Sequence, residues 1–307
     1  MAGRRRLLFA GDVNADLVLS GLEAPPALDR EVFCSGCRAA LGGSTALAAA
    51  AYARLGGEAD ICGLLGEDDY GRLARDELSR AGVGIGLLGM EGGERSGLTV
   101  NLVRGATRTQ VTFRGSLASF DGSEAFPRLH DYAHLHVSGA YGMPRFLPRV
   151  AELFRAAREA GASVSLDTQW DPSEEWEGAE EWLPLLDYLF VNEDEALSIA
   201  RRLGGAARGA AEAACFLSSL TACPIVKLGP EGALAGGRAI APFPVEVLDP
   251  TGAGDTFAAA FLLASVAEGR PLAEAASFAC AAGALACTYL GGASDELDAG
   301  RVRALAR

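Results

Sequence analysis

The sequence is poor in lysine: Lys227 is the only one among 307 residues, and the formal net charge at pH 7 is −13. Sequence-independent binding to nucleic acid requires clustered Lys and Arg side chains that neutralise phosphates. The arginines of this chain are scattered among acidic residues, so we expect no nucleic-acid partner. A small anion could still be held by backbone N–H groups and a divalent metal.

Long hydrophobic runs are also missing from the sequence. No apolar stretch reaches the roughly 18 residues that a membrane-spanning helix needs, so we expect no membrane partner. Residues 4–6 are all arginine, and the apolar stretch that follows them ends at Asp12. That stretch is too short for a signal peptide. We therefore expect a cytoplasmic protein in which the arginines precede the first strand.

The seven cysteines are an odd number without a secretory signal, which favours reduced thiols. Cys34 and Cys37 form a Cys-x-x-Cys pair, but the three histidines lie far along the chain at residues 130, 134 and 136. A structural zinc site would need a second Cys or His pair. We therefore expect the thiols to be neither metal ligands nor redox groups.

Short apolar segments alternate along the chain with segments of helical length. RLLFAGDV and ADICGLLG predict strands, and STALAAAAYARLGG between them predicts a helix that ends at Gly56-Gly57. HLHVSG, ASVSLDT, DYLFVN and CPIVKLG predict further buried strands separated by helices. This alternation indicates the α/β class, with a doubly wound, mostly parallel sheet and helices on both of its faces.

Two segments break the alternation. Residues 95–115 alternate with a period of two around Gly105-Ala106, as a half-exposed hairpin does. Residues 13–38 are also strand-like. We predict that both form a small β-sheet lid over the active site, and that residues 1–12, 39–94 and 116–307 form the α/β body. The alternative is that each segment is an ordinary surface hairpin.

The stretch DPTGAGDTFAAAFLLA (residues 249–264) places two glycines and a carboxylate at the start of an Ala-rich helix. The N–H groups of Ala253, Gly254 and Asp255 would form a site for negative charge, which glycine lets an anion approach closely. A carboxylate beside that site repels an anion and so needs a chemical role. We predict that Asp255 is the general base of a phosphoryl transfer. The alternative is that it only stabilises the first helical turn.

Two common phosphate-binding motifs are not found in the sequence. It contains no G-x-x-x-x-G-K-[ST] motif, and no G-x-G-x-x-G follows the first strand. The predicted anion site is therefore neither a P-loop nor a dinucleotide fingerprint.

DPTGAGDTFAAAFLLA resembles the C-terminal signature of the ribokinase-like carbohydrate kinases, the PfkB family. The resemblance covers nearly the whole chain, and its elements follow the family's order. GDVNADLVL is similar to the first strand, LGGSTALAAAAYARLGG to the N-terminal signature, GLLGEDDYG to the G-x-D-x-x-G turn, VNEDEA to the N-x-x-E element and VKLGPEGAL to the nucleotide-binding strand and turn. The resemblance implies a ribokinase-like fold, ATP and Mg²⁺ as cofactors, and phosphoryl transfer to a hydroxymethyl group of a sugar or sugar-like alcohol.

The resemblance also implies roles for individual residues at the matching positions. Asp255 would be the base, and Gly252, Ala253 and Gly254 would form the anion hole. Asn14, Asp16, Gly42 and Gly43 would bind the acceptor, while Lys227, Gly229, Gly232 and Cys280 would approach the nucleotide. Asn192 and Glu195 would organise Mg²⁺ through water, and Asp249 and Thr251 would bind a monovalent cation such as K⁺.

Structural alternatives stay open for some of these positions. Lys227 could be a solvent contact at the end of a strand, and Gly229 and Gly232 could serve only a tight turn. Asn192 could simply cap the helix that follows it.

Several positions depart from the family's pattern. Leu47 stands where an Asn usually binds the sugar, Ser44 where ribokinase has Lys, and Cys280 where an Asn often meets the adenine. SLDTQWDP replaces a more usual Asp-Pro-Asn run and brings Gln169 and Trp170 near the site. An unpaired buried polar group costs about 1–3 kcal/mol, so we expect an acceptor pocket that differs from that of ribokinase.

Alternatives to a sugar kinase follow from these departures. Leu47 and the Gly-Gly-Ser sequence are compatible with a nucleoside (adenosine-like) kinase, and a catalytically idle relative would only bind a sugar or nucleoside. Arginines 104, 108 and 114 on the hairpin could meet the carboxylate of a sugar acid, or could form an ordinary solvated strand face. A homodimer formed through the lid is a further expectation.

Overall fold

The computed structural model describes residues 6–105, 107–292 and 294–306. The predicted turn residue Ala106 and the basic residues Arg4 and Arg5 lie outside this part of the chain. The strands are β1 Leu7–Gly11, β2 Asn14–Ser20, β3 Gly36–Gly42, β4 Ala59–Gly66, β5 Gly84–Glu91, β6 Gly97–Arg104, β7 Thr107–Phe113, β8 His134–Ser138, β9 Ser163–Asp167, β10 Tyr188–Asn192, β11 Pro224–Lys227, β12 Ala233–Ala235 and β13 Arg238–Ile240.

The α-helices connect these strands and cover the sheet. They are α1 Ser44–Arg54, α2 Asp69–Arg80, α3 Val150–Glu159, α4 Ala179–Trp182, α5 Glu193–Arg202, α6 Ala210–Leu217, α7 Ala253–Leu262, α8 Leu272–Ala286 and α9 Ala299–Leu305. Helix α7 continues into a π-helical turn over Leu263–Ala267. None of the described helices has the length and apolarity needed to cross a bilayer.

The large sheet has nine strands in the described part of the chain, in the order β13-β12-β11-β10-β9-β8-β1-β4-β5. The pairs from β11 to β5 are parallel, and β12 and β13 join as antiparallel strands at one edge. The chain builds outward in both directions from β1, which confirms the predicted doubly wound sheet. The place where the direction of winding reverses is called the switch point of the sheet, and ligands of such folds bind there, beyond the carboxyl ends of the strands.

Helices on both faces of this sheet create two apolar cores. Every residue of β1 is buried, and alternate residues of a strand point to opposite faces. Leu7 and Phe9 accordingly pack with residues of α1, α7 and α8, whereas Leu8 and Ala10 pack with residues of α3 and α5. Burial on both faces explains why the parallel strands are continuously apolar in sequence.

A second sheet, in the order β3-β2-β6-β7, contains both segments that were predicted as a lid. The β2–β3 and β6–β7 pairs are antiparallel, and β2 pairs with β6 in parallel. In their described residues neither segment is helical, apart from Gly115, which begins a short 3₁₀ helix. Strand β3 continues to Gly42, beyond the predicted boundary at residue 38. We refer to this four-stranded sheet as the lid, and its separation from the body as a domain stays a prediction.

The seven cysteines are free thiols, and Cys34 and Cys37 are exposed. Within the described part of the chain, no group of three or more His, Cys, Asp or Glu side chains is arranged to hold a metal ion.

Candidate active site

Helix α7 begins at Ala253, and Gly252 precedes it with a left-handed φ of 74°. A Cβ on Gly252 would lie 2.5 Å from the Cα of Gly292, so the close approach of these two loops requires glycine. Among the described residues, no side chain caps this end of the helix. The N–H of Ala253 donates to Pro250 O at 3.3 Å, whereas those of Gly254 and Asp255 have no partner in the described chain. They are free to bind an anion.

Asp255 lies on the first turn of α7 and is 8% exposed. Its Oδ1 accepts a hydrogen bond from Gln169 Nε2 at 3.3 Å. Burial, together with the nearby charge of Asp167, raises the pKa of Asp255 to about 8, although Lys227 opposes the shift. A carboxyl group with a pKa near the working pH is suited to general base catalysis.

Lys227, at the end of β11, forms an ion pair with Asp167 over 2.6 Å from Nζ to Oδ2. A Cβ on Gly254 would lie 3.4 Å from the same Nζ, so the ammonium group is close to the N-terminus of α7. Burial opposes the charge, but Asp167 and Glu195 outweigh it and raise the pKa of Lys227. With its side chain only 14% exposed, Lys227 is a largely buried cation beside the start of α7 and not a solvent contact.

Asn14 and Asp16 lie on β2, on the face of the lid that is turned towards the body. Asn14 Nδ2 donates to Asp16 Oδ1 at 3.2 Å and to Thr99 Oγ1 at 3.1 Å. A Cβ on Gly42 would lie 2.0 Å from Asp16 Oδ1, and one on Gly43 would lie 2.9 Å from Asn14 Oδ1. The two glycines therefore make room for the polar groups of both side chains.

More polar side chains on β6 and β7 extend this face of the lid. Thr99 and Thr112 share a hydrogen bond of 3.0 Å, and Gln110 Nε2 donates to Asn101 Oδ1 at 2.8 Å. Burial raises the pKa of Asp16 to about 6, and Asn101 and Arg108 oppose the shift. Of these residues, Asp16 and Arg108 were considered from the sequence, whereas the polar residues Thr99, Asn101, Gln110 and Thr112 were not.

Arg108 also links the lid to the loop that precedes α7. Its Nη1 donates to Thr251 Oγ1 at 3.1 Å, across the cleft between β7 and the loop before α7. Asp249 organises that loop, since its carboxylate accepts hydrogen bonds from Thr251 N and Gly291 N, both at 2.9 Å. The structure therefore gives Asp249 and Thr251 loop-building contacts, while their predicted role in cation binding stays a prediction.

Asn192 and Glu195 form a capping box at the start of α5. Asn192 Oδ1 accepts from Glu195 N at 2.9 Å, and Glu195 Oε2 accepts from Asn192 N at 2.8 Å. Burial raises the pKa of Glu195, as does Asp167, while Lys227 lowers it. The structure thus shows the helix-capping role, and a role near Mg²⁺ would come in addition to it.

The remaining predicted nucleotide contacts lie on β-turn and helix positions. Gly229 and Gly232 have left-handed φ values of 56° and 91° in the turn between β11 and β12. A Cβ on Gly232 would lie 2.1 Å from Ile240 O, whereas one on Gly229 would meet open space. Cys280 is buried in the apolar core on α8, so its thiol contributes packing there.

Leu47 and Ser44, two of the departures from the family's pattern, lie on the first turn of α1. Leu47 is buried, and a Cβ on Gly292 would lie 2.7 Å from its Cδ1. It therefore packs beneath the loop that contacts Gly252. Ser44 donates its N–H to Asp12 Oδ2 at 2.9 Å.

Sequence reasoning did not assign roles to Asp12 and Asp167. Asp12 follows β1 and accepts hydrogen bonds from the N–H groups of Ser44 and Thr45, while Asp167 ends β9 and is 1% exposed. Each is a carboxylate at the carboxyl end of a buried parallel strand. That position was the available signal, because such strand ends converge at the switch point of the sheet.

Known proteins share both the sequence pattern and the fold. The family model for pfkB family carbohydrate kinases matches residues 5–299. The ATP-dependent ribose-1-phosphate kinase of Halopiger xanaduensis is 31% identical over 91% of this chain and 91% of its own length. The aminoimidazole riboside kinase of Salmonella typhimurium is 30% identical over 95% of this chain and 92% of its own.

Two solved structures show the same fold. The Arabidopsis thaliana ribokinase complexed with ribose and ATP has a TM-score of 0.82 at 25% identity and covers 99% of both chains. Ribokinase from Thermotoga maritima has a TM-score of 0.83 at 24% identity and also covers 99% of both chains. The polar lid face, the uncapped start of α7 and these comparisons agree. The chain belongs to the pfkB family of carbohydrate kinases, and it is an ATP-dependent kinase of a sugar or nucleoside.

Proposed function

We propose that this kinase phosphorylates a hydroxymethyl group of a sugar or sugar-like alcohol, and that Asp255 is its general base. One observation carries the proposal. A buried carboxylate whose pKa is raised to about 8 lies directly beside unpaired N–H groups at the start of a helix. The N–H groups suit an anion, whereas the carboxylate suits a proton, and phosphoryl transfer uses both.

The proposed reaction has a single transfer step. Asp255 accepts the proton of the acceptor hydroxyl as the hydroxyl oxygen forms a bond to the γ-phosphorus of ATP. The bond between that phosphorus and the β,γ-bridging oxygen breaks, and ADP leaves. The N–H groups of Gly254 and Asp255, with the ammonium group of Lys227, stabilise the charge on the transferred phosphoryl group. Gly252 forms the turn before α7, and Ala253 is the first residue of that helix.

The acceptor would be held by the lid. Asn14 and Asp16 present amide and carboxylate groups for hydroxyl groups, and Gly42 and Gly43 leave room above them. Leu47 is buried and apolar, so it supplies no hydrogen bond to an acceptor. The sugar therefore depends on the lid face for its polar contacts.

The nucleotide would lie on the body, near Lys227 and the turn that contains Gly229 and Gly232, with α8 and Cys280 forming the apolar wall for its base. Mg²⁺ bound to the ATP phosphates would neutralise their charge. Asn192 and Glu195 suit contact with such an ion through water. The side chains of both residues form hydrogen bonds in the helix cap, and the described residues contain no cluster of three metal ligands. We therefore propose that they contact the ion through water and do not bind it directly.

A monovalent cation such as K⁺ is proposed near Asp249 and Thr251. Each Asp249 oxygen accepts a backbone N–H and keeps further lone pairs for an ion. Comparing activity in K⁺ with activity in tetramethylammonium would test this role. Equal rates would exclude it.

The experiment that tests the function is a screen of sugars and nucleosides by coupled release of ADP. A sugar kinase should consume ATP only when a suitable sugar is present. Faster turnover with adenosine or an aminoimidazole riboside than with any sugar would favour the nucleoside-kinase alternative, which the similarity to the Salmonella typhimurium enzyme keeps in view. Saturable binding of a sugar without ATP turnover would indicate a catalytically idle relative.

We also propose a homodimer formed through the lid. Val111 and Phe113 on β7 are 59% and 55% exposed, and they lie on the face of the lid that is turned away from the cleft. Sedimentation equilibrium should show a dimer, and Val111→Glu should shift it towards the monomer. A monomeric parent protein would contradict this part of the proposal.

A further inference from the structure

Two arginines lie on the cleft face of the lid. On β3, Arg38 pairs with Val18, and Val18 is two residues after Asp16 on β2. On β7, Arg108 is two residues before Gln110, which pairs with Asn101 on β6. Since residues two apart on a strand share a face, both arginines are on the side of Asp16. Arg104 points to the opposite face, because it follows directly after Val103, and Val103 pairs with Arg108.

The two guanidinium groups converge on one pair of loops in the body. Arg108 Nη1 donates to Thr251 Oγ1 at 3.1 Å. A Cβ on Gly291 would lie 1.8 Å from Arg38 Nη2, so that group packs directly against Gly291. Thr251 and Gly291 both donate their N–H to Asp249. The arginines therefore approach the same end of the cleft from opposite edges of the lid.

Both guanidinium groups have spare donors. Among the residues that the structure describes, neither arginine forms a salt bridge. A guanidinium group has five N–H donors; Arg108 uses one on Thr251, and Arg38 makes no hydrogen bond within the described chain. Guanidinium donors arranged as a fork match the oxygens of phosphate and carboxylate groups.

Arg108 lies on the acceptor side of the cleft, apart from the groups proposed to bind the nucleotide. Arg108 contacts Thr251 in the loop before α7, and its charge opposes the rise in pKa that burial causes at Asp16 and at Asp255. The guanidinium group therefore lies in the cleft, near both carboxyl groups. The body already supplies Lys227 and two unpaired N–H groups for the nucleotide's phosphate. Without the two arginines, an anionic acceptor would be repelled by the carboxylates of Asp16, Asp249 and Asp255 at this end of the cleft.

We propose that the acceptor of this kinase carries an anionic group, a phosphate or a carboxylate, and that Arg108 and Arg38 bind this group from the lid. The inference rests on the proposed function and narrows its substrate class to sugar phosphates or sugar acids. It selects Arg108 from the three hairpin arginines considered in the sequence, sets Arg104 aside because of its face, and adds Arg38.

The test compares matched neutral and anionic acceptors: D-ribose with D-ribose 1-phosphate, and D-glucose with D-gluconate. The parent protein should prefer the anionic member of at least one pair, and the pair shows whether phosphate or carboxylate is selected. Arg108→Gln should lower kcat/KM for that acceptor by about 10- to 100-fold more than for its neutral partner, the range for a lost hydrogen bond to a charged group. Arg104→Gln, the matched control on the same hairpin, should change neither.

Several results would overturn the inference. Equal losses for neutral and anionic acceptors would show that Arg108 only fastens the lid to Thr251, and a raised KM for ATP alone would assign Arg108 to the nucleotide. A parent preference for neutral acceptors would also exclude it.

If no sugar of either kind stimulates ATP turnover, the proposed function fails, and calorimetric titration of the protein–ADP–Mg²⁺ complex still decides the inference. Tighter binding of D-ribose 1-phosphate than of D-ribose, lost in Arg108→Gln, would support it. Equal binding would refute it.

Discussion

Gln169 donates its side-chain amide to Oδ1 of Asp255 at 3.3 Å, and the same nitrogen lies 3.2 Å from Asp167 Oδ1. Its backbone has a left-handed φ of 54°, which is uncommon for a residue other than glycine and is found where the surrounding structure imposes it. The amide therefore holds one oxygen of the proposed base and leaves Oδ2 for the acceptor hydroxyl.

Replacing Gln169 with Leu should remove this donor at similar volume. A hydrogen bond to the ionised carboxylate stabilises it, so its loss should raise the pKa of Asp255 further. The acidic limb of the pH profile of kcat/KM should then move to higher pH, while KM for ATP stays near the parent value. A profile with unchanged shape would show that Gln169 is only part of the packing.

Asp255→Asn keeps the shape of the side chain and removes the proton acceptor. Turnover should fall by roughly 10²- to 10⁴-fold, the usual range for losing general base catalysis. Nucleotide affinity should stay level or rise, because a negative charge near the phosphate has been removed. Near-normal turnover in steady-state assays would mean that Asp255 serves only the first turn of the helix.

The same variant should also change how stability depends on pH. Because the pKa of Asp255 is raised from 3.8 to about 8 on folding, the folded protein retains a proton that the unfolded chain has released. The free energy of unfolding of the parent should therefore fall as pH rises between these values. Thermal melts should show Asp255→Asn to be more stable than the parent near pH 8 and similar to it near pH 4. A pH-independent difference in Tm would contradict the raised pKa.

Lys227→Met should destabilise the fold as well as slow the reaction. Removing one member of a buried ion pair leaves the charge of Asp167 without compensation, which costs about 3–5 kcal/mol. The double variant Lys227→Met/Asp167→Asn should recover much of that stability in urea unfolding, yet stay slow, since the ammonium group beside Gly254 is still missing. Full recovery of turnover in the double variant would show that Lys227 acts only on stability.

Mg²⁺ should bind weakly to the protein alone and tightly in the presence of ATP. The described residues contain no three-ligand cluster, and Mg²⁺ is commonly held by one or two carboxylates together with substrate phosphates. Calorimetric titration with and without a non-hydrolysable ATP analogue would measure both cases. Tight stoichiometric binding to the protein alone would contradict the expected dependence on nucleotide.

The sequence predicted the fold well where the apolar pattern was regular and was bounded by residues that end helices or strands. β1, β4 and the strands from β8 to β11 coincide with the short apolar segments from which strands were predicted. Strands β5, β12 and β13 were not predicted, since GIGLLGME is rich in glycine and the last two strands have only three residues each. Short edge strands take their order from pairing with a neighbour, which a local pattern does not report.

The candidate site was predicted through the glycine turn and the family resemblance, and only in part. The ion pair of Lys227 with Asp167 joins two residues that are 60 positions apart. The sequence around either residue does not indicate that the two side chains meet. The polar face of Thr99, Asn101, Gln110 and Thr112 depends on strand register, which sets the facing of every side chain at once. Such relationships arise only when the strands are paired.

The two sheets carry different parts of the proposed active site. Asp255, Lys227 and the turn at Gly252 belong to the body, where a Cβ on Gly252 would collide with Gly292. The side chains proposed to bind the acceptor belong to the lid, on strands whose cleft positions can change without altering the body's core. A new acceptor preference can therefore evolve, or be engineered, by substituting cleft-facing residues of β3, β6 and β7 while the chemistry of transfer is inherited unchanged.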